Sequence, residues 1–228
     1  MSDQSVKSVS PVVQDYLKAI WNAEEWSDHP VTTKELADRL AVRMSTVSEQ
    51  VRKLANAGLL VHERYGAIGL TDKGRRLAVG MARRHRLIET FLVSHLGYTW
   101  DQVHDEAEVL EHAVSDAFVE RLDTFLGHPA RDPHGDPIPS PSGLVSESSR
   151  VLLTDLVAGE WATVVRIDDS DSQTLRHLAS VGLGLDTVLR LTAHDQPTGM
   201  FAVQLGECST VVSVPEHEAR AIRVAPGR

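Results

Sequence analysis

Apolar side chains in the first part of the chain recur at helical spacing. Val13, Leu17, Ile20 and Trp21 put one stripe along residues 11–27. Pro11 suits the first turn, where its missing N–H would have no partner anyway. Asp28-His29-Pro30 breaks that helix. Thr32 with Glu35 three residues later predicts a capped start for a second helix, with Leu36, Ala37 and Leu40 inward. A short break at 42–44 precedes a third helix over STVSEQVRKLANAG, with Val47, Val51 and Leu54 inward and Gly58 as its stop. The period then shortens to two. LLVHERYGAIGLT predicts two short strands around a turn at Tyr65–Gly66–Ala67. Thr71–Asp72 opens a long helix to about His95, ended by Gly97, and a further helix is expected from about Trp100 to Leu126, ended by Gly127.

HPARDPHGDPIPSPSG (128–143) reads as an irregular, proline-rich linker, either a flexible spacer or a segment fixed against a domain surface. Beyond Arg150 the texture changes. WATVVRI, TVLRLTA, MFAVQLG and CSTVVSV are strand-like, with one helical piece, SQTLRHLASVG, among them. This predicts a small β-barrel-like module. The fold class is mostly α with a β module, and the expected domains are 1–76, 77–145 and 150–228.

Composition narrows the class. The 228 residues are 42% hydrophobic, enough for a folded core. No run of 18 apolar residues exists to span a membrane, and the polar start MSDQSVKSVS lacks a signal-peptide core. The single cysteine, Cys208, excludes an internal disulfide and most thiolate metal sites. A cytoplasmic location is expected. The net charge of −9 is unevenly spread: residues 32–86 hold 12 Lys/Arg against 5 Asp/Glu, whereas residues 98–149 hold 2 against 11. An acidic total can therefore hide a basic face.

Helix, helix, turn, helix and a two-stranded wing make a winged helix-turn-helix, whose recognition helix offers its N-terminal residues to the major groove. The exposed side chains there would be Arg43, Ser45, Thr46, Glu49 and Gln50, with Arg52 and Lys53 nearer phosphates and Arg64 in the wing. Hydroxyls and amides suit base edges or phosphate oxygens, and cationic side chains suit phosphates. A hydroxyl of Ser45 or Thr46 is also expected to cap the helix. Arg75 and Arg76 extend the basic face. The expected partner is double-stranded DNA.

The stretch HDEAEVLEH (104–112) concentrates acid and imidazole on one stripe. In a helix, Glu108, Glu111 and His112 lie at i, i+3 and i+4, with His104 one turn before Glu108. His85 and Glu89 share a face of the preceding helix. A solvated acidic face is the ordinary alternative, but Val109, Leu110, Ala113 and Val114 interleave, so part of the stripe borders the buried side. No HExxH spacing or nucleophile–base pair is present, so the chain is not read as an enzyme. Carboxylates and imidazoles without thiolate suit harder divalent ions such as manganese(II) or iron(II).

YLKAIW (16–21), LTDKGRRLA (70–78), RRHRLIETFL (83–92), VHDEAEVLEH (103–112) and RDPHGDPIP (131–139) resemble the metal-dependent transcriptional repressors of the diphtheria-toxin-repressor family. The chain looks most like the actinobacterial, manganese-responsive branch, and the match covers nearly its whole length. The resemblance implies a helical dimerisation and metal-binding domain and a last domain that is SH3-like (FeoA-like). It also implies a primary metal site of Asp15, Glu108, Glu111 and His112. Asp15 stands where iron-responsive members have methionine, and Glu108 where they have cysteine. A second site is implied at His85, Glu89 and His104, with His85 alternatively sharing Glu108 and Glu111. Lys18 stands where the manganese branch can supply one more glutamate. Asp169, Asp171 and Gln173 lie where iron-responsive members draw ligands from the last domain.

The function expected from these observations is a homodimeric, manganese-dependent repressor whose metal activates operator binding. An iron(II)-dependent repressor of the same family is the alternative. A metal-binding interaction protein without DNA specificity is the alternative from another class.

Overall fold

A computed structural model describes residues 6–62, 67–207 and 210–227, apart from the side chains of residues 7 and 62. The chain forms two compact units, each discontinuous in sequence. One contains Met1–His85, Glu108–Phe125 and Pro139–Val145, and the other contains Arg86–Ala107, Leu126–Ile138 and Ser146–Arg228.

The first unit begins with α1 (Pro11–Trp26), α2 (Thr33–Arg39) and α3 (Met44–Asn56). The Thr32 hydroxyl accepts from Glu35 N at 3.1 Å, which satisfies one orphan N–H of α2. Leu17, Ile20, Leu36, Val47 and Val51 are buried together in one apolar core. The wing strands β1 (Leu60–His62) and β2 (Ile68–Leu70) pair antiparallel, Leu60 opposite Leu70. The expected turn at Tyr65–Gly66 and Arg64 lies outside the described residues.

The long helix α4 (Asp72–Leu96) passes from the first unit into the second. The next helix differs from expectation. In place of one helix from Trp100 to Leu126 there are two, α5 (Val103–Ala113) and α6 (Asp116–Phe125). Two interactions make the break. The Arg84 guanidinium donates to the carbonyls of Glu111 (3.2 Å) and Val114 (2.8 Å), taking up the end of α5. Ser115 Oγ then accepts from Phe118 N at 3.1 Å and starts α6.

In the second unit, β3 (Trp161–Ile167), α7 (Ser172–Ser180), β4 (Val188–Asp195), β5 (Met200–Leu205), β6 (Val211–Pro215), α8 (Glu216–Ala219) and β7 (Ile222–Pro226) follow. All sheet pairings are antiparallel, in the order β6-β5-β4-β3-β7. The expected barrel is therefore an open five-stranded sheet. The chain between its edge strands β6 and β7 forms α8, with Ala219 in the core, in place of a tight turn that would pair them. Strand β7 was not among the expected elements.

The proline-rich segment is fixed. Asp132 Oδ1 accepts from the backbone N–H groups of His134 and Asp136, both at 2.9 Å, which makes a compact turn. Arg86 donates to Pro137 O (2.7 Å) and Asp136 Oδ2 (3.1 Å), and Arg166 Nε donates to Asp136 Oδ1. Ile167 N donates to His134 O at 2.9 Å. Gly135 sits at φ +87°, where a Cβ would come 2.2 Å from Val165 O. Gly135→Ala therefore adds left-handed strain and a backbone clash, and is expected to cost at least about 1–3 kcal/mol. Urea denaturation followed by tryptophan fluorescence checks this, and an unchanged midpoint contradicts it.

Candidate metal centre

In the first unit, α1, α4 and α5 bring ionisable side chains to one place. Asp15, Glu108, Glu111 and His112 each offer a ligand atom, and these atoms lie within 4.8 Å of one another. His112 Nε2 is 2.9 Å from Asp15 Oδ1 and 3.6 Å from Glu111 Oε1. The other ring nitrogen is engaged: His112 Nδ1 donates to Gln14 Oε1 at 2.7 Å. Gln14 is itself anchored, donating to Val6 O (3.0 Å) and Val9 O (3.1 Å). With Nδ1 carrying the proton in the neutral ring, Nε2 presents its lone pair to the cluster. Gln14 was missed from the sequence. Its only signal was its place beside Asp15 on the inward side of α1.

Lys18 is buried in the same cluster. Its Nζ donates to Glu108 Oε1 and Glu111 Oε1, both at 2.6 Å, and lies 3.3 Å from His85 Nδ1. His85 Nδ1 lies 2.6 Å from Glu111 Oε2. Glu111 has 0% exposure and is thus held through both oxygens. Burial alone would push its carboxyl pKa up, but Lys18 and His85 outweigh it and bring it down to about 2. Burial, with Glu108 and Glu111 adding to it, holds the Asp15 carboxyl above its ordinary range, against the lowering pull of His112 and Lys18.

In the second unit, Glu89, His104, His134 and Asp169 come together in a second cluster. His104 Nδ1 is 3.0 Å from Asp169 Oδ2 and 3.5 Å from Glu89 Oε1. His134, fully buried, donates from Nε2 to Trp100 O at 2.6 Å. Its Nδ1 lies 3.9 Å from both Glu89 Oε2 and Asp169 Oδ2. Glu89, Asp132 and His134 also gather ligand atoms within 4.8 Å. Sequence reasoning missed Asp132 and His134 because they lie in the proline-rich stretch. Asp171 is used elsewhere, accepting from Gln173 N and Thr174 Oγ1 to start α7. Asp169 is therefore the acid beside His104.

Both clusters fit a hard divalent ion. Their donors are carboxylate oxygens and imidazole nitrogens. Asp15 Oδ1 and His134 Nδ1 are buried atoms with no hydrogen-bond partner among the described residues. Both rings tie their other nitrogen to a neighbouring oxygen, as metal-binding histidines do.

The third helix carries the expected DNA-facing residues. Arg43, Ser45, Thr46, Glu49, Arg52 and Lys53 are exposed and Gln50 is half-buried. The expected cap is corrected: Arg43 occupies the N-cap position without a side-chain hydrogen bond, so Ser45 and Thr46 lie within the first turn. Met44, 54% exposed, joins them. Lys53 pairs with Glu49 at 2.8 Å and Arg75 with Glu24 at 2.6 Å. Arg83, Arg84 and Arg86 are buried in ion pairs with Asp123, Asp116 and Asp136. Part of the basic excess counted along the sequence is thus internal.

Three family descriptions match this chain. Residues 8–68 match the iron dependent repressor N-terminal DNA binding domain, residues 71–140 the iron dependent repressor metal binding and dimerisation domain, and residues 151–226 the FeoA domain. The iron-dependent repressor IdeR of Mycobacterium tuberculosis (strain ATCC 25618 / H37Rv) is 31% identical over 221 residues, 92% of this chain and 94% of that protein. The diphtheria toxin repressor of Corynebacterium diphtheriae is 35% identical over 134 residues, 59% of each chain. Among solved structures, a manganese-dependent transcriptional repressor in complex with manganese is 52% identical, with a TM-score of 0.89 over 94% of this chain and 99% of that one. The manganese regulator SloR is 36% identical, with a TM-score of 0.83 over 96% and 100%.

Burial of the His104 ring opposes its charged form, but Asp169 and Glu89 outweigh this and push its pKa from 6.5 up to about 11. A base whose pKa rises on folding stabilises the fold fully below the unfolded value and loses that contribution as pH climbs toward the folded value. The metal-free protein should therefore lose stability between pH 6.5 and about 11. Denaturant melts across that window should show a shallower loss for His104→Gln, and equal slopes contradict the assignment.

Proposed function

This chain belongs to the family of iron-dependent repressors, metal-dependent transcriptional regulators, and from that premise we propose that it is a manganese-activated, homodimeric repressor of operator DNA. The observation that carries the choice of metal is the donor set of the first cluster. Asp15, Glu108, Glu111 and His112 offer oxygen and nitrogen alone, which favours a harder ion than a set containing sulfur would. The manganese-dependent repressor and SloR, both similar to this chain in structure, carry manganese in their names, which supports the same choice. The sequence relatives named as iron-dependent favour iron(II) as the second reading.

Those four side chains would hold a divalent ion, which would supply positive charge to a carboxylate of α1 and the donors of α5. The protein's own groups do the rest. Asp15 carries the link into the DNA-binding part, and Gln14 keeps His112 in the tautomer that faces the cluster. Without the added charge, Asp15 faces Glu108 and Glu111 and is disfavoured as an anion. This gives α1 two energetic states and couples metal to DNA in both directions by the same factor. Glu89, His104, His134 and Asp169 would hold a second ion in the second unit. The exposed Val109, Phe118 and Phe125 of α5 and α6 support a subunit interface on those helices.

Fluorescence anisotropy on palindromic operator DNA, titrated anaerobically with manganese, iron(II), zinc and then chelator, tests the proposal. Manganese should tighten binding and chelator reverse it, and Asp15→Ala should abolish the response while sedimentation still shows a dimer. Equal DNA affinity with manganese and with chelator overturns the proposal. Glu108→Cys introduces a softer ligand and should move the ranking toward iron(II) or zinc. An unchanged ranking removes Glu108 from the first cluster.

A further inference from the structure

Resting on the metal reading above, we infer that Lys18 is a built-in cation that occupies a second ion position beside the first cluster, so that the cluster takes a single divalent ion. Three side chains surround Lys18 Nζ: Glu108 Oε1 and Glu111 Oε1 at 2.6 Å and His85 Nδ1 at 3.3 Å. Two carboxylates and an imidazole are a donor set fit for a divalent ion in their own right. Asp15 and His112 offer further ligand atoms within 4.8 Å of the same two carboxylates, with Asp15 Oδ1 and His112 Nε2 2.9 Å apart. The cluster thus has two adjacent cation positions sharing Glu108 and Glu111, and an ammonium group fills one of them.

Charge balance gives the same count. Asp15, Glu108 and Glu111 bring three negative charges and Lys18 one positive charge. A single divalent ion cancels what is left. A second divalent ion beside the ammonium would leave an uncompensated double positive charge in a largely buried site, which is strongly disfavoured. Lys18 is 5% exposed, and its two shortest contacts run to the shared carboxylates. It also has an office in the metal-free protein: it keeps Glu111, which is fully buried, ionised and aimed at the cluster. Replacing the ammonium by a carboxylate reverses the count, since four negative charges call for two divalent ions.

The test is a manganese titration of the full-length protein by equilibrium dialysis with metal analysis and by electron paramagnetic resonance. A Glu89→Gln, His104→Ala background in every sample removes Glu89, which both groupings of the second cluster share, together with His104. With Lys18 present, a single ion should bind per chain and give the spectrum of an isolated manganese(II). Lys18→Glu should take up a further ion and give the spectrum of an exchange-coupled pair, which requires two ions a few ångströms apart. Circular dichroism melts establish that the variant is folded. Lys18→Gln is the second variant if the glutamate form does not fold, and it should also gain manganese over the parent. A coupled pair in the protein that retains Lys18 overturns the inference. So does a folded Lys18 variant that binds no more manganese than its parent. Absence of bound manganese from every sample overturns the metal reading itself, and the inference with it.

Discussion

Glu111 is the group on which the first cluster depends. It is fully buried in α5, where an unpaired carboxylate would be too costly to ionise, and it is ionised because Lys18 of α1 and His85 of α4 each hold one of its oxygens. That pair of contacts joins α1 to the consecutive helices α4 and α5. It also fixes where the remaining donors stand. Glu108 is one turn earlier on α5 and shares Lys18; His112 follows Glu111 directly and is oriented by Gln14. The balance of charge is left short by the amount that one divalent ion provides. On the proposed reading, the stability of this site depends on ion binding, and its donors include Asp15 of the helix that precedes α2 and α3.

The second unit repeats the principle with other parts. His104 stands between Glu89 and Asp169, and His134 is added from the proline-rich segment. The segment that carries His134 is held by buried ionic contacts to Arg86 and Arg166. These arginines, like Arg83 and Arg84, are buried and paired with carboxylates. The basic excess of residues 32–86 is therefore divided between surface and interior. Arg43, Arg52 and Lys53 are exposed on or beside α3, whereas Arg83, Arg84 and Arg86 build the interior.

Much of this was legible in the sequence. The first three helices, the wing strands and four of the five strands of the last domain follow from periodicity and caps, because there the apolar pattern and the local signals agree. The split between α5 and α6 was not legible in that way. The helical period runs on through residues 113–116, and the break is made by Arg84, a side chain about thirty residues away, together with the Ser115 cap. Spacing placed Glu108, Glu111 and His112 on one face, and the resemblance supplied Asp15. No periodicity could supply Gln14, His134 or the role of Lys18. Each acts through a contact with a residue distant in sequence, and a buried lysine looks the same in one dimension as a solvated one.

The central claim is that Asp15, Glu108, Glu111 and His112 hold one manganese ion while Lys18 keeps its hold on Glu108 and Glu111. Anomalous diffraction at the manganese edge, from crystals of the manganese-loaded protein, measures this directly. The account predicts one anomalous peak bounded by those four side chains, with Lys18 Nζ still against both glutamates. A peak at the position of Lys18 Nζ, with that side chain displaced, or no peak among the four residues, would contradict it.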